Sequence, residues 1–233
     1  ELIGLRFGEQ GSEKQITSFI QHRNSSQQNA QTRNKPVSIS DVLVNSLGGV
    51  GSSQFIKRLS VAQMTTNYQN DTDQLKHRDA SYFQVKKHYI FGDDKHGNTR
   101  GFKKVLIIVG DPVHSIQSVH KRFGLGHLNN KWRRNINAPR FKTGVTLDTI
   151  WNKTIAAGKD ILGIQQYLDS WSKFCQENTE LCIMVDTRTL YRNASQIARR
   201  IGVQRLETFQ KLQYKPESAK KRRDRLQSVP QQV

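Results

Sequence analysis

Apolar and polar positions along the chain predict strands that alternate with helices. Continuous apolar runs at Val42–Val44, Val105–Val109 and Leu181–Val185 are typical of buried parallel strands. The first and third runs are each followed by a segment whose apolar residues recur at helical spacing, beginning near Gln54 and near Leu190, and the second run is followed by a segment with the start of a helix. This alternation predicts an α/β fold with three layers, α/β/α, around a central parallel sheet.

Weaker signals lie between and after these runs. Tyr89–Phe91 is a short β-favouring run, and the polar segment Lys95–Arg100 after it predicts a loop or a hairpin connection. Gly158 and Gly202 follow helical segments and predict their ends.

The helix after Val109 has a marked start. Asp111 is typical of an N-cap residue, and Pro112 suits the first helical position. Ser118 and Arg122 are four residues apart, so they share one face of this helix. The start of the helix is therefore a second place where an anion could bind.

A glycine-rich turn follows the first strand. Gly48, Gly49 and Gly51 allow a tight path and the close approach of an anion, and Ser52 and Ser53 add hydroxyl donors. Strand, turn and helix in this order aim backbone N–H groups at a phosphate or sulfate. The stretch lacks the lysine of a Walker loop, and its glycine spacing differs from the dinucleotide fingerprint. It predicts an anion site, with a turn that merely connects strand and helix as the alternative.

Composition adds a strong positive charge. The chain has 233 residues, enough for one α/β domain, with 37 Lys and Arg against 19 Asp and Glu and a net charge of +18. This balance favours an anionic partner such as nucleic acid, a sulfated or phosphorylated polymer, or an acidic membrane surface. General basicity without a specific partner is the alternative.

The chain divides into three parts by composition. Residues 1–37 are polar and predict an extended or partly disordered arm, residues 38–213 form the α/β domain, and residues 214–233 form a basic tail that contains Lys220–Arg225. Residues 124–145 carry several Lys and Arg without a clear period and predict a basic loop or lid.

Three kinds of feature are limited or excluded by the sequence. No apolar run is long enough to span a membrane. Cys175 and Cys182 are too few for a disulfide-rich scaffold or a four-cysteine zinc site, and they either pair in an oxidising compartment or remain free thiols. The histidines show no metal-binding spacing, so no metal site is expected.

Three segments carry a family resemblance over about residues 40–225. Gly49–Ser53, Val109–Pro112 with Ser118, and Met184–Val203 together resemble the P-loop sulfotransferase superfamily, whose members transfer a sulfuryl group from 3′-phosphoadenosine 5′-phosphosulfate (PAPS). The first segment resembles the family's loop for the 5′-phosphosulfate. The second resembles its 3′-phosphate site, and the third its late strand and helix.

The resemblance implies a cofactor and a set of site residues. PAPS would be the cofactor, held by Gly49, Gly51, Ser52, Ser53, Ser118 and Arg122. His77 follows Lys76 roughly where cytosolic members carry a Lys-Thr-His motif, which implies a catalytic base at His77 and a charge stabiliser at Lys76. A surface loop position for His77 is the alternative.

The chain departs from the family at two positions. Gly49 and Gly110 stand where the family has basic residues that neutralise the nucleotide, and each such contact contributes about 1.5 to 3 kcal/mol. Arg122 and the cluster Lys220–Arg225 are candidate replacements.

Two functions follow from these features. The first is a PAPS-dependent sulfotransferase that acts on a hydroxyl of a carbohydrate or another acceptor, with the basic surface attracting an acidic substrate; a Golgi location would fit it. The second is a catalytically silent sulfotransferase-like protein that binds RNA phosphates as a basic component of an assembly such as an organellar ribosome, with a location in a mitochondrion or another organelle.

Overall fold

The sheet is built around one long central strand. The structure is a computed structural model that describes residues 37–67, 75–133, 140–158, 160–210 and 212, with the backbone alone at 131 and 132. The strands are β1 (Ser38–Ser46), β2 (Phe83–Lys86), β3 (Tyr89–Asp93), β4 (Thr99–Val109) and β5 (Cys182–Asp186). β1 pairs parallel with β4, whose other side pairs first with β3 and then with β5.

The fold is mixed α/β, and its five-stranded sheet is open and only partly parallel. β1, β4 and β5 are parallel as predicted, but β2 and β3 are antiparallel to their neighbours. The prediction of an all-parallel sheet is wrong at this edge because the segment after β3 is a tight turn. The Asp94 amide donates to the Asn98 carbonyl, and a turn this short can join only antiparallel strands. The predicted hairpin connection is confirmed.

Six helices carry labels in the described part of the chain. They are α1 (Ser52–Val61), α2 (Pro112–His127), α3 (Leu147–Ala157), α4 (Ile164–Glu177), α5 (Thr187–Arg192) and α6 (Ala194–Arg200). A short π-helical segment, Leu128–Arg133, continues α2, which is kinked at Gly124. Short 3₁₀ segments lie at Ala80–Tyr82 and Leu206–Phe209. The predicted helix ends at Gly158 and Gly202 are confirmed, and both residues have a positive φ.

Alternate residues of the parallel strands pack against different helices. Val44, Leu106 and Val185 belong to one apolar cluster with residues of α1, α5 and α6. Leu43 and Ile107 belong to the other, with residues of α2, α3 and α4. This division follows from the two-residue period of a strand and explains the continuous apolar runs, since both faces are buried.

Part of the predicted basic loop is instead packed into the protein. Arg133 is buried, its Nη1 donates to the Ile161 carbonyl at 2.7 Å, and its guanidinium lies 3.8 Å from the centre of the Phe141 ring. Burial lowers the pKa of Arg133 to about 10, with Asp160 opposing the shift. The prediction of a basic loop or lid is therefore wrong at this residue, which ends a π-helical segment and has a carbonyl and a ring as partners inside the fold.

The remaining features of the fold concern the two cysteines, the helices and the extent of the described residues. The structure joins Cys175 and Cys182 in a disulfide, which ties α4 to β5. Within the described ranges, no helix is long and apolar enough to cross a membrane, and no group of His, Cys, Asp and Glu could hold a metal ion. The described residues all fall in one unit, 37–233. The predicted arm, apart from Val37, and the basic tail with Lys220–Arg225 lie outside the described residues.

Candidate functional site

The carboxyl ends of three parallel strands meet at one edge of the sheet. Ser46 at the end of β1 is in register with Ile108 of β4, and Val109 of β4 is in register with Asp186 of β5. The turns that follow these strands are therefore neighbours. In open α/β sheets, such an edge is where ligands bind.

The glycine-rich turn packs directly on the start of α2. Gly48, Gly49 and Gly51 have backbone φ values of 84°, 68° and 74°, which residues with a side chain rarely adopt. A Cβ at Gly49 would lie 3.0 Å from the Ser115 backbone and 3.0 Å from Ser118 Cβ. The two predicted anion-binding turns thus lie side by side on one edge rather than on separate surfaces.

Side chains from α5 hold the turn from the other side. The Tyr191 hydroxyl donates to the Gly51 carbonyl at 2.7 Å. The Thr187 hydroxyl donates to the Val109 carbonyl at 2.9 Å and lies 3.2 Å from the Val50 carbonyl. Burial raises the pKa of Tyr191, so its hydroxyl remains a donor at neutral pH.

The first turn of α1 lacks a capping side chain. Gly51 precedes the helix in a left-handed conformation and offers no side-chain acceptor. The starts of α2 and α3 each have one, Asp111 and Thr146. The start of α4 also follows a left-handed glycine, Gly163, but there the Gln165 amide donates to Asp160 Oδ2 at 2.6 Å. At the start of α1 the Gln54 amide donates to the Gly51 carbonyl at 3.2 Å, so the Ser52 and Ser53 amides are the N–H groups there that could bind an anion.

The two serines at the start of α1 have different surroundings. Ser52 is buried, and its hydroxyl lies 3.3 Å from the Ser46 hydroxyl. Ser53 is exposed. Only Ser52 therefore belongs to the buried side of the turn, beneath the glycines.

His77 lies against the turn and is not a surface loop residue. Only 7% of His77 is exposed, and a Cβ at Gly48 would lie 3.4 Å from its Cε1 atom. Its Nδ1 atom is hydrogen-bonded to the Ser46 carbonyl. Because a carbonyl oxygen only accepts, Nδ1 carries the proton of the neutral ring, and Nε2 is the basic nitrogen.

Lys76 is part of the same buried segment. Its side chain is 8% exposed, and its carbonyl accepts the Ser46 amide at 2.9 Å. Residues 76 and 77 therefore pair with the end of β1, on the side of the turn that α5 does not cover. The structure places the His77 ring against the turn and ties Lys76 to the end of β1 through its main-chain carbonyl.

Ser118 and Arg122 are joined as their spacing predicts. Arg122 Nη2 donates to the Ser118 hydroxyl at 2.8 Å, and Arg122 Nε donates to the Ser118 carbonyl at 3.1 Å. Since Ser118 also touches the turn at Gly49, a cation stands close to the glycines.

Gly110 has no space for a longer side chain. A Cβ there would lie 2.7 Å from Val50 Cγ1 and 3.2 Å from Thr187 Oγ1. Val50 is buried, so an apolar contact closes the space at Gly110.

Sequence reasoning did not find Ser46, Thr187 and Tyr191, which shape the turn. Thr187 and Tyr191 are 137 and 140 residues from their partners in the turn, so no local pattern announces these contacts. Ser46 could have been noted as the residue at the end of a buried strand, directly before the glycines. Comparison with known proteins returns no match among protein-family models, curated proteins or solved structures.

Proposed function

We propose that the protein is a sulfotransferase with a three-layer, P-loop-like arrangement that transfers a sulfuryl group from PAPS to a hydroxyl of an acceptor. One observation carries the proposal. A turn of three left-handed glycines precedes a helix without a capping side chain, and a buried histidine lies against that turn.

The turn fits the phosphosulfate end of the donor. The positive φ values of the glycines give the turn the tight path that aims the start of α1 at an anion, and the amides there and the Ser52 hydroxyl are donors. Bound here, PAPS would supply an activated sulfuryl group.

The start of α2 accounts for the other phosphate of the donor. Gly110 cannot supply the usual cation, because Val50 fills its space. Arg122 supplies one instead, since its guanidinium is fixed on the Ser118 hydroxyl next to the turn.

His77 has the arrangement of a general base. The Ser46 carbonyl holds Nδ1 as a donor, so Nε2 is the nitrogen that accepts the proton of an acceptor hydroxyl. Lys76, next to it in the chain and also buried, provides positive charge for the negative charge that develops during transfer. The net charge of +18 favours an acidic acceptor.

One observation favours a second candidate, a silent scaffold that binds RNA. The closed position at Gly110 removes a cation that the family uses, and a basic chain can bind nucleic acid through phosphates alone. Such binding would fall steeply with salt and would not depend on Ser52 or Ser118.

Calorimetric titration with 3′-phosphoadenosine 5′-phosphate, the product nucleotide, separates the two candidates. We expect saturable micromolar binding that Ser52→Ala and Ser118→Ala each weaken about tenfold, the loss of one hydrogen bond to a charged group. Ser60→Ala, an exposed serine at the other end of α1, is the matched control and should leave binding unchanged. No heat with the nucleotide, together with RNA binding that collapses as salt rises, would establish the scaffold instead.

A further inference from the structure

We propose that Asn45 is a positioning residue of this site: it fixes the segment Leu75–Asp79 and so holds the His77 ring, in one tautomer, against the glycine-rich turn. The catalytic meaning of this inference rests on the proposed function. Its structural part does not, and it is tested separately below.

Asn45 uses its whole side-chain amide inside the protein. It is fully buried, and its Nδ2 donates to the Leu75 carbonyl at 3.0 Å and to the Arg78 carbonyl at 2.9 Å. Its Oδ1 accepts a hydrogen bond from the Tyr167 hydroxyl. One amide thus clamps both ends of a short turn, and a tyrosine of α4 prevents the amide from rotating.

The Tyr167 hydroxyl is a permanent donor in this arrangement. Burial, with a further contribution from the charge of Asp79, raises the pKa of Tyr167 well above its usual value. The phenol therefore stays protonated at neutral pH and donates to Asn45 Oδ1, which fixes the orientation of the amide.

Further bonds from α4 hold the same segment. Trp171 Nε1 donates to the Arg78 carbonyl at 3.0 Å. The Ser170 hydroxyl donates to Asp79 Oδ2 at 2.8 Å, and Asp79 Oδ1 accepts the Ser81 amide at 2.9 Å. The segment has no regular secondary structure between 75 and 79, so these bonds take the place of a helix or strand.

The clamp connects to His77 through the next residue of β1. The Ser46 amide donates to the Lys76 carbonyl, and the Ser46 carbonyl accepts from His77 Nδ1. Adjacent strand residues point to opposite faces. The Asn45 side chain therefore holds the segment Leu75–Asp79, while the main chain of Ser46 holds the histidine ring. Release of the segment Leu75–Asp79 would break the hydrogen bond from His77 Nδ1 to the Ser46 carbonyl and allow the ring to exchange tautomers.

Nitrogen NMR of the histidine ring tests the structural part without any activity. In the wild type, labelled at histidine and assigned with His77→Gln, we expect His77 to be protonated at Nδ1 with Nε2 unprotonated at neutral pH. Asn45→Ala and the milder Tyr167→Phe should each give a tautomer mixture. Ile197→Val, a small loss in the other apolar cluster, should keep the wild-type tautomer. A wild-type tautomer in both Tyr167→Phe and a folded Asn45→Ala would overturn the proposal.

Kinetics tests the catalytic part. Tyr167→Phe should lower kcat for sulfuryl transfer about tenfold or more, while the Kd for the product nucleotide changes less than about twofold, because the ring moves and the anion-binding turn does not. A changed tautomer in a protein whose wild type transfers nothing would support the clamp and reject the proposed function. An unchanged kcat with a changed tautomer would reject Asn45 as a positioning residue for catalysis.

Discussion

The turns after β1 and β4 look alike in topology but are fixed in different ways. At the start of α2, Asp111 accepts the His114 amide at 3.0 Å and Pro112 occupies the first helical position, so the local sequence completes the helix. At the start of α1, Gly51 has no side chain that could accept a hydrogen bond. The turn is held instead by Tyr191 of α5, which is 140 residues away in the sequence.

The difference teaches where an anion can bind. A helix start that satisfies its own amides has little left for a ligand, whereas one that does not keeps its donors available. The turn before α1 also has a buried histidine against it, and the neighbouring residue of that histidine, Lys76, is buried as well. We therefore place the chemistry at α1 and give α2 the supporting role of Ser118 and Arg122.

The largest expected effect is that of His77→Gln. Loss of the proposed general base should lower kcat for the proposed sulfuryl transfer by about 10² to 10⁴, while the Kd for the product nucleotide stays within about twofold. Steady-state kinetics and calorimetry provide the two readings. His96→Gln, on the exposed turn between β3 and β4, is the control and should behave as wild type. Full activity in His77→Gln would remove the histidine from the site.

Gly49→Ala should sharply reduce the affinity at the α1 turn. The residue has φ 68°, and its Cβ would lie 3.0 Å from the Ser115 backbone, so the turn must move away from α2. We expect the nucleotide Kd to rise about a hundredfold and the free energy of unfolding to fall by about 2 kcal/mol.

Gly158→Ala is the matched control for this prediction. Gly158 has φ 57° but no atom within 4 Å of the new Cβ, so it carries the backbone strain without the collision. It should cost about 1 kcal/mol of stability and leave the nucleotide Kd unchanged. Equal effects of the two variants on Kd would show that close packing at Gly49 does not matter.

Asp111→Ala should affect stability rather than binding. It removes the side-chain acceptor at the start of α2, which typically costs about 1 kcal/mol in the free energy of unfolding. Chemical denaturation measures this loss, and calorimetry should give a nucleotide Kd within about twofold of wild type. A large loss of binding would mean that α2, not α1, holds the anion.

The smallest expected effect is a pH dependence from the third turn, after β5. Burial raises the pKa of Asp186, but hydrogen bonds from Thr189 and from the Arg188 amide outweigh it, so the pKa lies below its ordinary value of 3.8. A lowered carboxyl pKa means stability that is present above pH 3.8 and lost as the pH falls through the folded value.

Asp186→Asn tests this sign. The amide can still cap α5, but it does not titrate. Between about pH 5 and pH 2, its stability should fall less steeply than that of wild type, by about 1 kcal/mol or less in total. Thermal unfolding at several pH values measures the difference, and parallel curves would contradict the assignment.

The sequence predicted features whose causes are local. The apolar run of each buried parallel strand is a local signal. The same holds for the Asp111 cap, for the Ser118 and Arg122 pair and for the hairpin after β3. The antiparallel edge was missed because a short β-favouring run does not reveal the direction in which it pairs.

Features that depend on distant contacts were missed. Arg133 has its carbonyl partner 28 residues away, and Asn45 has its tyrosine partner 122 residues away. The buried ring of His77 is bonded to the Ser46 carbonyl, 31 residues away, and the local sequence left a surface loop position open as the alternative. Such contacts depend on how the helices pack on the sheet, which periodicity does not specify.

Amide hydrogen exchange, resolved residue by residue with and without 3′-phosphoadenosine 5′-phosphate, tests the central claim most directly. We predict that saturating nucleotide slows exchange of the amides from Gly49 to Phe55 at least about tenfold, with a smaller change at the start of α2. Unchanged exchange at the start of α1 in a protein that binds the nucleotide would contradict the placement of the anion site there.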